Sequence, residues 1–516
     1  MEYFVTLLFL LLSLALLSVF WLLPSASSRR LKSNGFLGPS PNFPFGNLME
    51  MRQTSKTSPS PSSSSSTGNH DIHSVVLPYF ARWKNLYGKV FVYWLGTEPF
   101  LYVAEPEFLK QIVSGVLSKS WGKPSVFRQD RRPMFGKGLV MVDGDYWQHH
   151  RHIISPAFSP ANLNGMVSLM VESTTSMIDE WSKRVRTGES EIDVEKYIIR
   201  NAAEIIAKTS FGISEDEGKI VFEKLQAMQT MLFKSQRFVG VPFSKLLSPM
   251  KSYEAWKLGK EIDHLLLSII KSRKENELAY GNTSTTHQDL LGILLAGNQE
   301  NTGRERKLTA RELVDECKTF FFGGHETTAL ALTWTLFLLA LYPQWQDILR
   351  DEIIEVFNGD PHSLDSTILS KLTKMGWVLN EVLRLYSPAP NVTRQAIKDI
   401  KVGNKMVIPK GTNMWIDVVA MHHDGELWGD DVNEFRPERF KESNNGGCKH
   451  RMGYLPFGFG GRLCVGRNLT MMEYKIVLTL LLSKFSFKVS PSYLHCPRYM
   501  LSLRPSHGVP LILEPI

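Results

Sequence analysis

The chain opens on an apolar run. From Tyr3 to Leu23 only Thr6, Ser13 and Ser18 interrupt it. Roughly 20 apolar residues cross a bilayer core, so the run predicts a membrane-spanning helix. A cleaved signal peptide is the alternative, and no small-x-small site closes the run. Glu2 precedes the run, while Arg29, Arg30 and Lys32 follow it, which places the rest of the chain on the cytosolic side. Prolines then punctuate Gly38-Pro39-Ser40-Pro41 and Pro44, a pattern that reads as a semi-rigid spacer. Thr54 to Gly68, with the run Ser62 to Ser66, is low complexity and reads as a disordered surface loop. The expected organisation is an anchor over 1–24, a basic, proline-rich hinge and serine-rich loop over 25–71, and a folded body over 72–516.

Within the body the apolar positions recur mainly with helical spacing. Strand-like runs appear at Val90–Leu95 and Leu101–Val103, with hints near Lys401–Ile408. The expectation is a mainly α fold with a small β-sheet region, an α+β class. One helix stands out. Thr309-Ala310-Arg311-Glu312 is a capping box flanked by Leu308 and Leu313 as a hydrophobic staple. The helix it starts can run to Tyr342, where Pro343 stops it, a length of roughly 50 Å at 1.5 Å per residue. Gly323 and Gly324 sit in its middle, each costing on the order of 1 kcal/mol against alanine. His325-Glu326-Thr327-Thr328 follows, and such polar groups in an apolar helix are costly unless hydrogen-bonded. Taken alone, this is also what a kinked core helix with satisfied polar groups looks like.

A second segment, Phe457-Gly458-Phe459-Gly460-Gly461-Arg462-Leu463-Cys464-Val465-Gly466, precedes an apolar helix over about Asn468–Leu482. Its glycines allow tight turns and close approach to a flat ligand. Cys464 then lies at a helix N-terminus, where amides and the helix dipole stabilise a thiolate. A glycine-rich loop with a buried free cysteine is the plainer reading. The other cysteines, Cys317, Cys448 and Cys496, form no Cys-x-x-Cys pair, which argues against zinc. Four cysteines in 516 residues are no disulfide framework and fit a reducing compartment. A formal charge of +8 serves solubility, or supplies a basic face for anionic lipid or an acidic protein. No basic helix or aromatic platform suggests nucleic acid.

The loop resembles the cytochrome P450 signature Phe-x-x-Gly-x-Arg-x-Cys-x-Gly at every fixed position. The resemblance implies a fold with haem b between the long central helix and the Cys464 loop, and Cys464 as axial ligand to the haem iron. Such a thiolate favours O–O cleavage. Phe457 would pack over the thiolate, Gly460 and Gly466 make room, and Arg462 bind a propionate. Gly461 stands where many relatives carry proline. Gly323, Gly324, Glu326, Thr327 and Thr328 match the family's Ala/Gly-Gly-x-Asp/Glu-Thr-Thr pattern. That match implies a groove for oxygen, with Thr327 steadying the oxygen and Glu326 feeding protons through water. Glu381 and Arg384 resemble the family's Glu-x-x-Arg, and Arg439, in Pro437-Glu438-Arg439-Phe440, would complete a structural triad. Trp147 and Arg151 match Trp-x-x-x-Arg, and Arg394 sits where relatives place another propionate arginine. Tyr386-Ser387-Pro388 departs from the commoner Tyr-Pro-Pro.

Cys317–Phe322 and Glu426–Gly429 are similar to plant clan 72, the group of cytokinin hydroxylase-type enzymes. The implied activity is a monooxygenase acting with O2 on a hydrophobic small molecule, hormone- or terpenoid-like. Phe127, Phe320, Phe321, Ala389, Val392 and Leu501 would line its site, and Arg128, Arg131 and Arg132 could meet a substrate carboxylate or form a solvated face. No Gly-x-Gly-x-x-Gly fingerprint appears, so NADPH electrons would arrive through a cytochrome P450 reductase. Lys449, His450, Arg451 and Arg467 would form its docking face. The implied location is the endoplasmic reticulum membrane, single-pass, with a cytosolic catalytic domain. A haem-thiolate isomerase or dehydratase, and a non-catalytic haem-binding membrane protein, are the alternatives. The Glu326–Thr327 pair argues against both.

Overall fold

The structure is a computed structural model that describes residues 2–56, 70–234, 238–280, 289–296, 308–357, 364–403 and 406–516. It is mainly helical with small sheets, as expected. The long central helix spans Ala310–Leu341. Its cap forms as read: the Thr309 hydroxyl accepts from the Glu312 amide at 3.2 Å, and the Glu312 carboxylate accepts from the Thr309 amide at 2.8 Å. Pro343 opens the next helix, Pro343–Phe357, because it lacks an amide to continue the first.

The two interior glycines do different things. A Cβ at Gly324 would stand 2.3 Å from Ile206 on the helix Val194–Phe211, so its bare backbone is what lets these helices cross. A Cβ at Gly323 would meet nothing within 4 Å. That side of the helix is open. The apolar helix Arg467–Leu482 packs against both the central helix and the helix Val167–Arg186. It carries the Cys464 loop at its start.

The main sheet has five strands in the order Val90–Leu95, Glu98–Val103, Asn413–Asp417, Asn391–Ala396, Trp121–Gly122. Only Glu98–Val103 and Asn413–Asp417 pair in parallel. A two-stranded ribbon, Ile400–Val402 with Met406–Ile408, accounts for the hints near Lys401–Ile408. Pro497–Met500 and Ser502–Pro505 form another ribbon, with Leu501 at its turn in a left-handed conformation, φ +75°.

The first helical stretch runs from Glu2 to Ser33, and residues 2–17 are all exposed. It is long and apolar enough to cross a membrane and fits a single-pass anchor. Its C-terminal turns join the body, with Leu31 buried and Arg30 paired to Asp399 at 2.8 Å.

The segment read as a spacer is no free spacer. The Val92 amide donates to the Leu37 carbonyl at 2.8 Å, and the Asn47 side chain accepts from the Trp94 amide at 2.9 Å. Phe43 packs edge-on against Trp94 at 5.0 Å. Edge-strand amides and carbonyls need partners, and this proline-rich strap supplies them. Thr54 to Lys56 finish the helix Leu48–Lys56, and the rest of the serine-rich run lies outside the described residues.

Candidate active site

Cys464 is exposed just before the helix Arg467–Leu482, and its amide donates to the Phe457 carbonyl at 2.9 Å. Burial pushes the thiol up. The amides of Gly466 and Arg467 and the charge of Arg151 oppose that rise by favouring the thiolate. Arg151 also donates to the Leu463 carbonyl at 2.9 Å, so it braces the loop rather than standing free. Phe158 links loop to helix, 3.9 Å from a Cβ placed at Gly466 and 5.8 Å ring to ring from Phe320.

Beside the loop is a cluster of cations. Arg462 donates to Asp143 at 3.0 Å and to the Val142 carbonyl at 2.9 Å, with its guanidinium 4.7 Å above Trp147. Arg394 donates to the Thr393 carbonyl at 2.9 Å and lies over Phe459 at 5.5 Å. Burial, then the charge of Arg462, brings Arg394 down to about 10. Lys123 is pushed well below its ordinary value by burial and by Arg394 and Arg462. The carboxylate that offsets this charge is Asp143, and Arg128 also claims it at 3.0 Å. A cluster of desolvated cations sharing one carboxylate is costly as it stands. The two propionates of a haem would compensate it. Together with a thiol at a helix start and open space at Gly323, the residues present fit haem.

The central helix divides its polar residues between faces. The Thr327 hydroxyl donates to the Gly323 carbonyl at 2.8 Å on the open side. Glu326 is buried, and its Oε1 accepts from Gln229 at 2.9 Å and Ser502 at 2.5 Å. Thr328 meets Thr470 of the ligand-loop helix at 3.3 Å. His325 is buried, bonded to the Phe321 carbonyl, and stands edge-on to Phe222 at 4.8 Å, a structural placement. Phe320 shares the Gly323 and Thr327 face by its i, i+3 spacing. Phe321 does not. It stacks on Phe211 at 4.2 Å and 6°, which corrects its place among lining residues to helix packing. Phe127 is buried against Phe100 at 5.5 Å and beneath Arg131 at 4.3 Å, whereas Ala389 is exposed and Val392 and Leu501 are half-buried. Of the three loop arginines expected to meet a carboxylate or solvent, Arg131 lies on Phe127, Arg128 is exposed but paired with Asp143, and Arg132 is exposed.

The triad assembles. Arg384 binds Glu381 through two contacts of 2.7 Å, both side chains fully buried, and donates to the carbonyls of His422 and Val432. Arg439 reaches Glu381 at 3.4 Å and Asp431 at 2.8 Å. On the expected docking face Lys449, Arg451 and Arg467 are exposed, but His450 is taken by Glu107 at 3.1 Å.

Sequence reasoning missed several site residues. Asp143 precedes a helix and so looks like an ordinary cap, yet its side chain serves Arg462 and the Lys123 amide instead. His150 lies inside the Trp147–Arg151 motif and bonds Glu316 of the central helix at 2.5 Å, both fully buried. Nothing local marks Lys123, Gln229 or Ser502.

Comparison with known proteins accords with this architecture. The family model Cytochrome P450 matches residues 70–509, and the chain belongs to that family. Among its relatives is a Cytokinin hydroxylase of Arabidopsis thaliana, 39% identical over 97% of this chain and 95% of the relative. Cytochrome P450 714C2 of Oryza sativa subsp. japonica is 37% identical over 96% and 94%, and Cytochrome P450 734A1 of Arabidopsis thaliana is 35% identical over 96% and 93%. The protein is a cytochrome P450 monooxygenase, an oxidoreductase of a family that works with haem, O2 and a substrate.

Proposed function

We propose that the protein is a membrane-anchored haem-thiolate monooxygenase that hydroxylates a hydrophobic small molecule of the hormone or terpenoid kind. NADPH electrons reach it through a reductase. The observation that carries this reading is the cluster of Lys123, Arg394 and Arg462 around Asp143, set beside the Cys464 thiol. The names of the relatives, cytokinin hydroxylase among them, support the substrate class.

Haem, when bound, supplies the iron at which dioxygen is reduced and the oxygen atom inserted. Cys464 would hold the haem iron through its thiolate, with Phe457 beside it and Gly460 and Gly466 giving it room. Arg462, Arg394, Trp147 and Arg151 would hold the propionate side, joined by Lys123. Phe320, Phe127, Val392, Ala389 and Leu501 exclude water from the groove. The Thr327 hydroxyl places a proton donor on the open face, and Glu326 carries protons to it through water. Glu381, Arg384 and Arg439 take no part in the chemistry and fix the fold behind the loop. Arg29, Arg30 and Lys32 put the catalytic body on the cytosolic side of the endoplasmic reticulum, where Lys449, Arg451 and Arg467 meet an acidic reductase face.

NADPH consumption with purified reductase and a panel of adenine-type, terpenoid and steroid candidates tests the reading. Product formed only with NADPH, reductase and O2 together supports it. Conversion of a substrate without NADPH would point to an isomerase or dehydratase instead.

A further inference from the structure

Glu326 is part of a longer chain of contacts that leads out of the protein. Its Oε1, already held by Gln229 and Ser502, lies 3.9 Å from the Arg504 guanidinium. The same guanidinium donates to Glu195 at 3.1 Å. Glu195 and Arg504 both line a crevice of about 670 Å³, with Glu180, Asp193, Arg200 and Glu223 around it. One arginine thus touches a carboxylate of the central helix on its inner side and a crevice-lining carboxylate on its outer side.

We propose that Glu195 is the proton-loading residue for Glu326, with Arg504 as the positioning residue that bridges them. This rests on the reading of Glu326 as a proton carrier. A proton leaves the Glu195 carboxyl and passes through the Ser502 hydroxyl or a water held by Arg504. It arrives at Oε1 of Glu326. The Glu195 carboxylate then takes a proton from crevice water, which bulk solvent replenishes, so one proton enters per transfer and Arg504 keeps its charge.

The surroundings of Glu195 suit this task. Burial pushes its carboxyl up, Arg504 pulls it down, and Asp193 and Glu326 push it up again, leaving it at about 7. Tyr493 also faces it, and Lys196, Arg200, Lys219, Glu180, Glu204 and Glu223 supply the remaining crevice charges. Near neutral pH such a group both gives and regains a proton, the condition for an efficient donor. An ordinary buried ion pair would keep its carboxylate charged throughout this range.

The test uses the full-length holoenzyme with dissolved oxygen as the probe, so no substrate is needed. Dithionite-reduced protein is mixed with oxygenated buffer, and its reoxidation is followed by absorbance from pH 6 to 9. The wild-type rate is expected to fall as pH rises through about 7. Glu195→Gln should be slower by roughly tenfold at pH 6 and flat with pH, with a larger slowing in D2O. Infrared difference titration should find, besides the Glu473 carboxyl that titrates at about 8, a second protonated carboxyl lost at about 7 in wild type and in Glu326→Gln but missing from Glu195→Gln. Arg504→Lys weakens the bridge and should move the wild-type step to higher pH. That shift carries the test if Glu195→Gln does not fold. A wild-type pH profile in Glu195→Gln, or an unmoved step in Arg504→Lys, overturns the proposal. If Glu326→Gln slows reoxidation while Glu195→Gln does not, the inner carrier stands and only its inlet is wrong. If Glu326→Gln behaves as wild type, the carrier reading falls first.

Discussion

Two buried charge clusters flank the Cys464 loop, and they are built on opposite principles. Around Glu381 the charges balance: Arg384 and Arg439 face Glu381 and Asp431, and backbone carbonyls take the remaining Arg384 donors. Around Asp143 they do not. Lys123, Arg128, Arg394 and Arg462 crowd about one carboxylate, and burial lowers Lys123, Arg394 and Arg462. A charge-balanced cluster holds a fold together, whereas one with excess cation is suited to an anionic ligand. The difference separates structural from ligand-holding charge without reference to motif.

Breaking the closed cluster should have the largest effect. Glu381→Gln leaves two buried guanidinium groups short of charge, at a typical cost of about 3–5 kcal/mol. Denaturation of the apo and haem-loaded protein should register the loss in both. Arg394→Ala should do the reverse, relieving repulsion within the cluster. Apo stability is expected to hold or rise, while haem affinity drops by roughly tenfold to a hundredfold, the worth of a charge-assisted hydrogen bond. Equal destabilisation of apo protein by both variants would erase the distinction.

A third buried titratable group sharpens the contrast, because it has no partner among the described residues. Glu473, on the helix behind Cys464, has neither carboxylate oxygen bonded among the described residues, and burial raises it to about 8. The folded state therefore binds more protons than the unfolded state between pH 4.5, the ordinary value, and about 8. Stability contributed by this group must fall as pH rises across that window. Glu473→Gln removes the proton and the slope. Its melting temperature should gain on wild type from pH 5 to 8, and a constant gap between the two would contradict the assignment.

Much of this was legible in sequence where contacts are local. The Thr309–Glu312 cap spans three residues, Glu381 and Arg384 are one helical turn apart, and the Cys464 loop is contiguous. What was not legible depends on contacts across the chain. Asp143 reaches Arg462 over 319 residues, and Glu326 reaches Ser502 over 176. The strap from Leu37 to Asn47 misled because prolines that stiffen a linker equally suit an edge strand. Phe320 and Phe321 look alike in sequence, and only helical phase sends one to the groove and the other into the core.

Smaller effects are expected at the open face. Thr327→Ala should keep its haem, since it removes one hydroxyl bonded to Gly323 and leaves both charge clusters alone. Product per NADPH should fall, with hydrogen peroxide making up the difference. Unchanged coupling would remove Thr327 from the proton path, and loss of haem would make it a packing residue. Deleting residues 1–24 should move the protein to the soluble fraction and leave haem content as it was. The strap and the buried Leu31 follow the deleted part and keep their contacts.

The central claim, thiolate ligation by Cys464, is decided by the reduced carbon monoxide spectrum of the purified protein. Wild type should show the far red-shifted Soret band of a thiolate-ligated haem, and Cys464→Ala should lose it. A wild-type spectrum like that of a histidine-ligated haem, or a red-shifted band that survives in Cys464→Ala, would contradict the account.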